Sequence, residues 1–172
     1  MMIGILGTTS KATTLAKIFT RAGLVTVSDP GHADRAERLA AELGAGAVAV
    51  TPYRQAMTSD ILIFAMDWLD LDAALTQLGP LPNRIVIDAM LPEATITQNG
   101  AQTLAHKLDS PHVVEAFVEP LPWNGVVNLC ADDPDARARV TKLLRECGIE
   151  ARNGGPLASA GTNERRARAL AS

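Results

Sequence analysis

The chain has 172 residues, 47% of them hydrophobic and only 3% aromatic, with a formal net charge of −3. That length suits a domain with a sizeable core, built from Ala, Val, Leu and Ile. The acidic balance, with no basic stripe, argues against a nucleic-acid or anionic-membrane surface. Its two cysteines, Cys130 and Cys147, form no CxxC pair and no disulfide framework, so a reducing, cytoplasmic setting is expected.

The predicted elements alternate between short apolar runs and stretches of helical spacing, the pattern of an α/β protein. Ile3 to Leu6 reads as a buried strand, too short for a signal peptide or a membrane span. Leu15, Ile18, Phe19 and Ala22 follow at helical spacing up to Gly23. Leu24 to Val27 is a second strand, and Ala36, Leu39, Ala40 and Leu43 mark a second helix ending at Gly44. Ala47 to Val50 is a weak third strand and Ile61 to Ala65 a strong fourth. A helix over Asp70 to Leu78 leads to a fifth strand, Ile85 to Ile87. Helix is expected over Thr97 to Leu108, strands over Val113 to Phe117 and Val126 to Leu129, and a helix around Val140, Leu143, Leu144 and Cys147. Ile149 to Ala151 adds a short edge strand. This order predicts a Rossmann-type NAD(P)-binding fold, a mostly parallel sheet with helices on both faces. Residues 1–158 are expected to form the dinucleotide-binding domain, and the polar residues 159–172 a solvated tail or helix.

The chemistry-bearing feature is Gly7-Thr8-Thr9-Ser10-Lys11-Ala12, between the first strand and the first helix. Backbone N–H groups and the positive end of a helix attract an anion there, and dinucleotide folds place their pyrophosphate on such a turn. Of the glycine pattern G-x-G-x-x-G only the first glycine is kept; Thr9 and Ala12 stand at the other two positions. The hydroxyls of Thr8, Thr9 and Ser10 can donate to phosphate in compensation. The same residues also suit an ordinary strand–turn–helix with a Thr or Ser cap. Asp29 lies at the end of the second strand, where a carboxylate would hold a ribose 2′-hydroxyl and favour NAD. Ser28, His32 and Arg35 offer contacts to a 2′-phosphate instead, and Asp29-Pro30-Gly31 also fits a simple turn. The choice between NAD and NADP stays open at this point.

With these elements placed, the chain resembles the deazaflavin (coenzyme F-420)-dependent NADP oxidoreductases. It is also similar to the dinucleotide-binding domains of pyrroline-5-carboxylate reductase and of the ferric reductases with six membrane helices. The resemblance runs from Met2 to Ala158 and rests on motifs in order: Ile3-Gly4-Ile5-Leu6-Gly7, Ala40-Ala41-Glu42-Leu43-Gly44, Ile63-Phe64-Ala65-Met66-Asp67-Trp68, Ile85-Val86-Ile87-Asp88-Ala89, Val113-Val114-Glu115-Ala116-Phe117, Asp132-Asp133 before a helix, and Gly154-Gly155-Pro156-Leu157. It implies that Gly7, Thr8, Thr9, Ser10 and Lys11 line the pyrophosphate, with Ser28 near a 2′-phosphate. It also implies that Ala65, Met66 and Trp68 sit beside the nicotinamide ribose, with Ala89 and Met90 on the neighbouring strand end; Trp68 equally suits a packing role. The sequence departs from the family pattern at Pro30-Gly31, which replaces a basic pair, at Asp67, which replaces a proline, and at Leu91, which replaces an asparagine. The apolar helices that usually follow Gly-Pro-Leu are expected to be absent, since Ser159 to Ser172 is largely polar.

The resemblance implies hydride transfer between NADP(H) and a deazaflavin or flavin-type partner, chemistry that the cofactors carry and the protein orients. A noncatalytic dinucleotide-binding or regulatory module is the alternative. No catalytic acid or base stands out. His32, His106 and His112 are scattered and read as solvated, with no metal-ligand spacing. Asp132-Asp133-Pro134-Asp135 reads as a helix cap. The expected partner is a nicotinamide dinucleotide, with neither nucleic acid nor membrane. A homodimer is expected to close the nicotinamide edge, where Trp68, Met90 and Glu119 to Trp123 are the nominated covers.

Overall fold

A computed structural model describes residues 1–29, 31–49, 53–94, 99–120 and 125–171. Pro30, Val50, Thr97, Leu121 to Trp123 and Ser172, each part of an expectation above, lie outside the described residues. The chain forms an α/β fold of two compact units, residues 1–79 and 80–172.

In the first unit β1 (Met2–Leu6), β2 (Leu24–Ser28), β3 (Ala47–Ala49) and β4 (Ile61–Phe64) make a parallel sheet in the order β3-β2-β1-β4. Helices α1 (Ser10–Phe19), α2 (Ala33–Leu43), α3 (Tyr53–Ala56) and α4 (Leu71–Leu78) belong to the same unit. Strand runs such as Ile3 to Leu6 and Ile61 to Phe64 are apolar throughout because a parallel sheet is covered on both faces. Leu15 and Phe19 of α1 are fully buried, each such side chain contributing about 1.5–3 kcal/mol. Helix α1 ends at Phe19 with Thr20 as its cap, short of Gly23. Gly23 serves a different need: a Cβ there would stand 2.2 Å from the Met1 carbonyl oxygen.

In the second unit β5 (Ile85–Asp88), β6 (Val113–Glu115), β7 (Val126–Ala131) and β8 (Glu150–Gly155) follow in spatial order. The β5–β6 and β7–β8 pairs are parallel, and β6–β7 is antiparallel. The expected strand from Val113 to Phe117 stops at Glu115, because Phe117 turns to φ 62°. Helix α5 (Gly100–Leu108) is capped by Asn99, whose side chain accepts from the Gln102 N–H. Helix α6 (Pro134–Glu146) has proline in its first turn and the Asp133 carboxylate as cap, the reading the sequence allowed for that acidic run.

Residues Ala160–Ala171 form helix α7; Thr162, Arg165 and Arg166 on it are exposed, whereas three other polar side chains are tied into the second unit. Asn163 donates to Glu115 Oε2 at 2.9 Å, and Glu164 accepts from the Gly100 N–H at 2.7 Å. Arg168 donates to the carbonyls of Pro92 and Glu93 at 2.8 and 3.3 Å. A hydrophobicity pattern cannot register such a helix, because hydrogen bonds and small alanines form its inner face. His112 is likewise not a solvated histidine: its Nδ1 is paired with Asp133.

Candidate functional site

Strand β1 lies between β2 and β4, so the chain order reverses there and the carboxyl ends of the strands leave a crevice. Gly7 turns the chain out of β1 at φ +110°, a conformation that L side chains rarely adopt. Its N–H donates to the Ser28 carbonyl at 2.9 Å. A Cβ at this position would meet the Ala65 carbonyl oxygen at 2.8 Å and Met66 backbone atoms at 2.9 Å. The turn therefore runs against the end of β4, and only glycine fits.

The threonines after it are committed to the protein. Thr8 Oγ1 donates to Asp29 Oδ2 at 2.5 Å. Thr9 Oγ1 donates to the Ala65 carbonyl at 2.6 Å and accepts from the Ala12 N–H at 3.1 Å, capping α1. Both hydroxyl protons have protein acceptors, so what the turn offers an anion is backbone at the positive end of α1. Asp29 holds a second partner, His32, whose Nδ1 stands 3.5 Å from Oδ1.

The crevice has a volume of about 350 Å³, at the lower end of small-molecule sites. Gly7, Thr8, Thr9, Asp29 and Met66, all expected from the sequence, are among its lining residues, and His32 and Arg35 join them. Ser10, Lys11, Ser28, Ala65 and Trp68 are not on its wall; Ser28 is fully buried with its hydroxyl unpartnered among the described residues. Ala89 and Met90 are buried after β5, where Met90 N–H donates to Asp88 Oδ1 at 3.0 Å.

Tyr53, Asp67, Asp70 and Gln77 line the crevice without having been expected. Tyr53, the single tyrosine, is 5% exposed. Burial first, and then the carboxylates of Asp29 and Asp70, push its phenol well above the ordinary range, so it stays an O–H donor far into alkaline pH. The one signal in the sequence was an isolated aromatic in an otherwise aromatic-poor chain.

A glycine turn, a helix start and a strand-order reversal around a crevice define a dinucleotide-binding α/β protein of the Rossmann class. The family described as "NADP oxidoreductase coenzyme F420-dependent" matches residues 2–92, just over half of the chain. The chain belongs to that family. Its fold is similar to a hypothetical protein of Sinorhizobium meliloti, with a TM-score of 0.81 and 22% identity over 93% of this chain and 87% of that one. It is also similar to an Arthrobacter sp. FB24 protein proposed to be an F420-dependent NADP-reductase, with a TM-score of 0.77 and 20% identity over 95% and 88%. A reductive aminase from Aspergillus terreus in complex with NADPH matches with a TM-score of 0.73 and 19% identity, over 99% of this chain and 60% of that one. No curated protein matches the sequence.

Proposed function

We propose that the chain binds NADP(H) with the adenosine diphosphate half in the crevice of the first unit, and exchanges hydride with a deazaflavin or flavin-type partner. The observation that carries this reading is Gly7, whose positive φ and missing Cβ bring backbone to the place where a pyrophosphate would rest. The residues present fit that half of the molecule. Gly7 to Lys11 would hold the pyrophosphate, and Asp29, His32 and Arg35 the adenosine ribose and its 2′-substituent. Tyr53 and Gln77 add donors to the lining. Ala65, Met66, Trp68, Ala89 and Met90 stay assigned to the nicotinamide side by family resemblance. When bound, the nicotinamide supplies the hydride; the protein's part is to bind, orient and exclude water.

Residues 1–158 are read as the dinucleotide-binding domain. A homodimer belongs to this proposal, because the crevice of a single chain is open to water. Calorimetric titration with NADPH and NADH, followed by deazaflavin-coupled oxidation of NADPH and sedimentation, tests it. Binding of NADPH with turnover by a dimer is expected. No heat with either cofactor at millimolar concentration overturns it, and binding without turnover favours a regulatory module.

A further inference from the structure

The second unit holds a cluster of acids that the proposed chemistry does not use. Asp88 at the end of β5, Glu115 at the end of β6 and Glu164 on α7 are each 4% exposed or less. Glu115 Oε2 accepts from Asn163, while its Oε1 is buried with no hydrogen-bond partner among the described residues. A small cavity of about 20 Å³ adjoins it, lined by Glu115, Phe117, Glu119, Asn128 and Asn163 among others, room for about one water molecule.

The groups around Glu115 make its charged form costly. Burial comes first, and the carboxylates of Asp88 and Glu164 add to it, against the Asn163 hydrogen bond that favours the ion. The acid is pushed up to about 8. From β7 the facing group is the Cys130 thiol, itself pushed up to about 12 by burial and by Glu115. Helix α6 contributes Arg137, whose guanidinium is tied to the Ala131 carbonyl at 2.7 Å and to Asn153. No cation among the described residues is hydrogen-bonded to Glu115.

We propose that Glu115, buried beneath α7 against the carboxylates of Asp88 and Glu164, is a proton-operated latch by which α7 holds the backbone after β5. Once α7 is seated, Arg168 fixes the carbonyls of Pro92 and Glu93, and Glu164 fixes the first N–H of α5. Pro92 and Glu93 follow Met90 by two and three residues, so Arg168 is a positioning residue for the nicotinamide side. That use rests on the proposed function; the latch itself does not.

The sign follows from linkage. The burial that α7 completes and the Glu164 carboxylate it brings outweigh its Asn163 hydrogen bond, so the seated helix raises the affinity of Glu115 for its proton; docking is strongest near the acid's ordinary value, close to 4.5, and weakens as pH rises. The loss is complete once pH passes about 8, where Glu115 ionises in place. One proton bound on seating changes the opening equilibrium about tenfold per pH unit within that window.

Hydrogen exchange of the α7 amides, measured without cofactor and corrected for intrinsic rates, reads the latch independently of dinucleotide binding. Opening is expected to increase about tenfold per unit between roughly pH 6 and 8, with α6 amides as an unaffected reference. Glu115→Gln keeps an acceptor for Asn163 without a titrating group and should flatten the profile, whereas Asn163→Ala should raise exchange at every pH. A flat wild-type profile, or the same slope in Glu115→Gln, overturns the proposal. If the variants do not fold, the carboxyl carbon shift of Glu115 in the wild type is set against the exchange profile: a midpoint that coincides with the pH at which α7 opening levels off supports it, and one near 4.5, or one apart from that pH, overturns it.

Discussion

The two units treat polar groups at strand ends in opposite ways. In the first, Asp29 closes β2's exit and faces a crevice with Tyr53, Asp70 and Arg35, leaving room for a ligand. In the second, Asp88 and Glu115 close β5 and β6 and are covered, with α7 supplying Asn163 as a partner. The comparison teaches that a strand end is open to a ligand only where no element of the chain covers it. Where a helix does, the same residue types become part of the fold's own stability and its dependence on pH.

The hardest test of this contrast is at glycine. Gly7→Val introduces a β-branched side chain at φ +110° against the Ala65 carbonyl, and should cost about 3 kcal/mol while abolishing dinucleotide binding. Gly125→Ala in the second unit has positive φ but open space around it, and should cost about 1 kcal/mol. Urea unfolding midpoints and calorimetry compare the two.

A finer test pairs the helix caps. Thr9→Val removes the α1 cap and leaves the Ala65 carbonyl without its donor; Asn99→Ala removes the α5 cap and its bonds to the Leu157 and Ala158 carbonyls. Each should destabilise by about 1–2 kcal/mol. Only Thr9→Val should also weaken NADPH, and equal losses of affinity would erase the distinction between the units.

The smallest effect lies at Asp133. Desolvation works upward on its carboxyl, but hydrogen bonds from the His112 ring and from the backbone of Asp135 and Ala136 outweigh it and hold the group below the ordinary carboxylate range. A depressed acid contributes stability that is present above its ordinary value and is lost as pH falls through the folded one. His112→Ala should therefore lower stability slightly at neutral pH and leave it unchanged well below about pH 4, so that the acid limb becomes shallower, as acid titration followed by circular dichroism would show.

Much of the fold was legible because its strands are continuous apolar runs and its helices α2 and α6 carry clear periodicity. Asp29 was legible from its distance past Gly7. The hydroxyl roles of Thr8 and Thr9 were not: spacing places them near a phosphate, but their protons go to Asp29 and Ala65, residues 21 and 56 positions away. Tyr53 sits on a four-residue helix too short to leave a pattern. Helix α7 reads as solvated because its anchors are polar and their partners, Glu115, Gly100 and Pro92, are remote in sequence.

The outermost strands carry a consequence for assembly. Among the described residues β3 has three residues, β8 reads Glu-Ala-Arg-Asn-Gly-Gly, and each has a single strand neighbour. Short length, paired charges at Glu150 and Arg152, and glycines make poor templates for a further strand. Self-association by extending a sheet from these borders is thereby discouraged.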